Sequence, residues 1–113
     1  MDSADELYKR ARQDWTQLVD LGTYGDDDDK PYVATGDLEA ALRVDADHVP
    51  SLRMLALLLM QMGAMEEARE FADRLLSLRP DDAGARESVR LLRQGDLDAM
   101  RDWLVGVWHG GEY

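Results

Sequence analysis

Apolar residues recur in this chain at steps of three and four, and glycine or proline cuts the pattern at intervals. Leu7, Tyr8, Ala11, Trp15, Leu18 and Val19 form one apolar face, ended by Gly22. Met65, Ala68, Phe71, Ala72, Leu75 and Leu76 form another, opposite Glu66, Glu67, Glu70, Asp73 and Arg74, and Pro80 stops it. Leu97, Met100, Trp103, Leu104, Val107 and Trp108 form a third, closed by Gly110 and Gly111. No segment alternates with a period of two, so no strand is expected. A helix with a single apolar stripe must bury it against another element. The chain therefore reads as all-α, and its 113 residues suffice for one domain with a modest core.

Local signals set the helix bounds. Ser3-Ala4-Asp5-Glu6 has capping-box spacing and opens a helix over about residues 4–21. Asp37 is expected to cap a short helix carrying Leu38, Ala41, Leu42 and Val44, after a long acidic turn over residues 25–36. A helix over 49–62 follows. It is apolar all round from Leu55 to Leu59, which predicts a central, buried element. Further helices are expected over 65–78 and 83–93, and from an Asp96 cap to about Trp108.

The chain also repeats itself. Gly63, Ala68, Phe71 and Leu75 share their spacing with Gly95, Met100, Trp103 and Val107. Glycine lets two helices meet closely at a turn, and the later positions fill the contact between them. Residues 49–82 resemble a tetratricopeptide repeat: Leu52, Leu55, Ala56, Leu59, Gly63, Ala68, Leu75 and Pro80 fall on signature positions over the family's thirty-four-residue length. Residues 15–48 give a degenerate copy. A gapless register places Leu18, Leu21, Gly22, Ala34, Leu38 and Ala41 on the signature, with Gly36 inside the second helix. A rival register starts that helix at Gly36-Asp37 and is preferred here, because Gly36-Asp37-Leu38-Glu39-Ala40 nearly repeats Gly95-Asp96-Leu97-Asp98-Ala99. Residues 83–108, with Arg86 and Arg90 at signature apolar positions, read as a terminal capping hairpin, and 109–113 as a tail.

The resemblance implies a right-handed stack of antiparallel helix hairpins with five or six helices. It also implies a non-enzymatic protein–protein interaction module: an adaptor, assembly factor or chaperone-like subunit. Its first helices would line a short concave groove for a peptide or partner helix. On this sequence the groove would present Arg53, Leu57, Met60 and Gln61, with Thr16, Val19 and Thr23 from the first helix and Glu87 and Leu91 from the fifth. Leu57 and Met60 also suit a core, whereas Arg53 among leucines requires a carboxylate or an exit to solvent. The alternative is a small structural subunit that homo-oligomerises, or caps a larger assembly, through its last helix. Trp103, Trp108 and Tyr113 would then be the oligomer surface. Monomer and homodimer both remain open.

Composition excludes several classes. With no cysteine there is no disulfide scaffold, thiolate metal site or cysteine nucleophile. The net charge of −11 leaves no basic patch for nucleic acid or anionic membrane. Residues 1–48 hold thirteen acids against five bases, which gives solubility and would steer a basic protein or peptide toward that half. The longest apolar run, Met54 to Met60, is far short of the ~20 residues of a membrane span. The acidic first residues are unlike a secretion signal, so a soluble, cytoplasmic protein is expected. His48 and His109 lack a helical zinc partner, no serine sits in a Gly-x-Ser-x-Gly context, and no phosphate loop is present, so neither catalysis nor a cofactor is expected. The run Asp26, Asp27, Asp28, Asp29, Lys30 fails as an EF-hand, since Pro31 or Leu38 falls on required positions, though weak calcium binding by these aspartates stays open. The same five residues match the end of an epitope tag and protease site, but Thr23-Tyr24-Gly25 precede them where that tag is charged. A solvated inter-helix turn is the simplest reading.

Overall fold

The computed structural model describes residues 2–22, 30–111 and 113, and within them six helices: α1 (Ala4–Leu21), α2 (Lys30–Val44), α3 (Val49–Gln61), α4 (Met65–Leu78), α5 (Ala83–Gln94) and α6 (Leu97–Gly110). Their ends follow the local chemistry. The Ser3 hydroxyl accepts from the Glu6 amide, Asp82 from Ala85 and Asp96 from Ala99, so three helices open on a side-chain cap. Gly95 ends α5 at φ 72°, a left-handed conformation that side chains disfavour.

α1 lies along α2, and α3 along α4, as two hairpins that stack through α2 and α3. α4 then packs on α5. The signature positions fill these contacts: Leu52, Leu55, Ala56, Leu59, Ala68 and Leu75 are all buried. The expected all-α stack of helix hairpins is what forms.

The second helix corrects the preferred register. α2 begins at Lys30, not at Asp37, and runs through Gly36. What was expected as a turn over residues 25–36 is helical from residue 30 onward. Pro31 at the second helical position is harmless, because amides there have no partner within the helix. Ala34, Leu38 and Ala41 are fully buried, and their packing outweighs a mid-helix glycine, which costs ~1 kcal/mol.

The last pair also differs from a regular hairpin. α6 touches α5 and α3 to about the same small extent, far less than the two helices of a regular hairpin touch, and Trp108 reaches Trp15 of α1. α5 turns Ala85, Ser88, Val89, Leu91 and Leu92 into the core and Arg86 and Arg90 outward. The Cα radius of gyration, 13.0 Å, is that of a compact domain of about 100 residues rather than of an extended solenoid.

Candidate binding site beside the last helix

α1, α3 and α5 are the first helices of successive layers, and their shared side is where α6 comes to rest. Trp108 anchors it. Its ring meets Trp15 of α1 edge-on at 5.0 Å, and its indole N–H donates to Gln61 Oε1 of α3 at 3.0 Å. Trp15 and Trp108 are both buried to within 1%. Met100, Leu104 and Val107 complete the docked face.

Past α6 the chain turns at Gly110–Gly111, and Tyr113 reaches back to α1. Its ring lies edge-on to Trp108 at 5.1 Å, with the Arg12 guanidinium 4.8 Å from its centroid. The phenol and the Thr16 hydroxyl share a hydrogen bond of 3.0 Å. The main-chain oxygen of Tyr113 accepts from the Tyr8 hydroxyl at 3.1 Å and from Arg12. Tyr8, Arg12 and Thr16 stand one helical turn apart, on one face of α1.

Two cavities flank α6. The larger, about 620 Å³, lies between α1, α3, α5 and α6, and its walls include Arg12, Arg53, Leu57, Ala83, Trp103 and Tyr113. The smaller, about 140 Å³, lies between the end of α3 and α6 and is lined by Met60, Gln61, Met100 and Leu104 among others. The groove residues expected from the sequence thus divide. Arg53 and Leu57 line the larger cavity; Met60 and Gln61 line the smaller and face α6. Val19, Leu91 and Glu87 line neither: Val19 and Leu91 are buried, and Glu87 pairs with Arg90 at 2.9 Å. That pairing holds the Glu87 carboxyl below the usual range. Thr23 and Asp26 to Asp29 lie outside the described residues.

Arg53 has found its carboxylate. It pairs with Asp82 Oδ2, while Asp82 Oδ1 caps α5, so one aspartate ties α3 to the start of α5. Trp103 is half-buried on the cavity wall. Trp108 and Tyr113 are spent inside the protomer, which removes them from the surface on which an oligomer contact was expected. Burial of this kind needs a partner face, and α1 and α3 supply it.

Sequence reasoning missed the Tyr8–Arg12–Thr16 ladder as one surface. The signal was its four-residue spacing beside Val19. It also missed a relay in which His48 Nδ1 lies 2.7 Å from Ser51 Oγ and Nε2 lies 2.6 Å from Asp5 Oδ1. The order of groups is that of a nucleophile triad. Yet Ser51 is fully buried, the carboxylate sits at the solvent end, and neither cavity is lined by these residues. The relay instead clamps α1 to the start of α3. Among the described residues no cluster of three metal-ligating side chains occurs, and no helix is long and apolar enough to cross a membrane.

Comparison with curated proteins and with solved structures gave no match. A family model for the tetratricopeptide repeat matches residues 28–94, more than half of the chain and spanning α2 to α5. With its stacked hairpins and buried signature positions, the chain belongs to the tetratricopeptide repeat family.

Proposed function

We propose that this protein is a non-catalytic adaptor or assembly factor that takes a short segment of a partner protein into the larger concave cavity. Tetratricopeptide repeats mediate protein–protein contacts, which gives the class of function. The observation that carries the finer reading is the cavity itself: about 620 Å³ beside α6, with apolar walls at Leu57, Trp103 and Val107 and guanidinium groups at Arg12 and Arg53. That volume lies within the range of sites that enclose small ligands, and it suits a few extended residues rather than a whole helix. The acidic outer surface favours approach by a basic protein, while Arg12 inside, with Arg53 already paired to Asp82, offers donors to an acceptor-rich segment.

The test is selection of displayed peptides on the full chain, repeated with Ala83→Trp. Ala83 is exposed at the cavity rim, so an indole there fills the entrance without touching the core. Selected peptides should lose about tenfold or more in affinity for the variant, or ~1.4 kcal/mol. Equal binding to both chains would remove the cavity from consideration.

A second reading keeps α6 as a contact for another copy or a larger assembly. It now rests on Leu97 and Val105, which are 55% and 42% exposed on the outer side of α6. Light scattering decides: a dimer that Val105→Glu dissociates supports it, and a monomer opposes it.

A further inference from the structure

Tyr113 is held more completely than burial alone requires. Its ring is sandwiched by Trp108 and Arg12, its phenol is met by Thr16, and its main-chain oxygen by Tyr8 and Arg12. Its phenol and its main-chain oxygen both have matched groups on α1. Gly111 ends α6 at φ 72° with its amide on the Val107 oxygen, and α6 is anchored independently of Tyr113 through Trp108, Trp15 and Gln61. Tyr113 can therefore leave without unseating the helix.

The place it would leave is continuous with the larger cavity, since Tyr8, Arg12 and Tyr113 all line it. Most of that space is unfilled by the tail. The acceptors of Arg12 are the Tyr8 hydroxyl and the main-chain oxygen of Tyr113, and no Asp or Glu side chain among the described residues pairs with it.

We propose that the Tyr8–Arg12–Thr16 face of α1 is a recognition site for a tyrosine of a partner segment, and that Tyr113 is the chain's own occupant, which such a segment displaces as it enters the cavity. This rests on the reading that the cavity takes a partner segment. The tyrosine ring would stack on Arg12 against the Trp108 edge, its phenol would meet Thr16, and its main-chain oxygen would meet Tyr8 and Arg12. An acidic neighbour in the partner segment would add the side-chain ion pair that no Asp or Glu among the described residues gives Arg12. Occupancy by Tyr113 makes the site self-limiting, because a tethered competitor is present at an effective concentration in the millimolar range.

The probe is a blocked peptide of the chain's own residues 110–113, Gly-Gly-Glu-Tyr, titrated into the full chain and followed by the Thr16 and Trp15 resonances. Tyr113→Ala should bind it about tenfold or more tighter than the parent, because the tethered competitor is gone. Adding Arg12→Gln should abolish most of that gain, and a Phe-ended peptide should bind several-fold more weakly than the Tyr-ended one, about the worth of one hydrogen bond. Tyr113→Phe, which keeps the ring and the fold, should fall between parent and alanine variant. Equal affinity for parent, Tyr113→Phe and Tyr113→Ala overturns the proposal, as does binding indifferent to Arg12. Binding that Ala83→Trp abolishes but Arg12 and Tyr113 leave unchanged would keep the cavity and sink the tyrosine site.

Discussion

The two ends of the molecule are built from the same spacing and packed in different ways. In α3 and α4, Gly63, Ala68, Phe71 and Leu75 bring two helices together lengthwise. In α5 and α6, Gly95, Met100, Trp103 and Val107 repeat the intervals, yet α6 does not lie lengthwise on α5, and its Trp108 packs on Trp15 of α1 and bonds Gln61 of α3. Spacing says which residues of a helix are buried. It does not say against what. What the last helix meets depends on the surface on offer: α1 and α3 give Trp15 and Gln61, which match the ring and the N–H of Trp108.

If α6 is core on the concave side, its anchor should cost as much as a core residue of the regular hairpins. Trp108→Ala should lower unfolding stability by about 3–5 kcal/mol, and Leu58→Ala in α3 by about 2–5 kcal/mol. Urea denaturation of both variants checks this. A loss below about 1 kcal/mol for Trp108→Ala alone would make α6 an appendage.

The first hairpin tests whether α2 is as regular as α4. Ala34 is fully buried one turn into α2. Ala34→Asp should cost about 3 kcal/mol or more, since it buries an unpaired charge. If residues 30–36 were a solvated turn, the change would be nearly neutral. Gly36 probes the same segment with the opposite sign. An added Cβ there meets nothing within 4 Å, and its φ is not positive. Gly36→Ala should therefore stabilise by about 0.5–1 kcal/mol, read as a rise in melting temperature.

The smallest effect separates two carboxylates by pH. Burial holds Asp37 above the usual carboxylate range, and the Arg10 guanidinium, 3.9 Å away, offsets only part of it. A raised folded-state value gives stability below the unfolded pKa, lost as pH rises through the folded one. Asp37→Asn should thus gain about 0.5 kcal/mol near neutral pH, and the gain should fade as pH falls below the carboxylate range. Glu87, held low by Arg90, runs the other way: its contribution is present at neutral pH and lost on acidification, so Glu87→Gln should show no gain.

Much of the fold could be read in advance because its signals are local. Ser3, Asp82 and Asp96 announce helix starts, and Gly22 and Gly95 announce ends, through bonds within a few residues. The start of α2 was misread for the same reason. Gly36-Asp37 is a good local start, but the burial of Ala34 and Leu38 decides, and burial depends on distant chain. The site was less legible still. Arg53 and Leu57 line the larger cavity and Met60 and Gln61 the smaller, and the sequence held no sign that α6 and Tyr113 would stand beside them. Aromatic residues near the end of a repeat suit an outer edge and a closed groove equally well.

The position of α6 is settled most directly by proton–proton contacts in the full chain. The structure predicts nuclear Overhauser effects between the Trp15 and Trp108 indoles and between Thr16 and the Tyr113 ring. Their absence, with a ladder of contacts running lengthwise between α5 and α6 instead, would return the last pair to a regular hairpin and leave the concave side open.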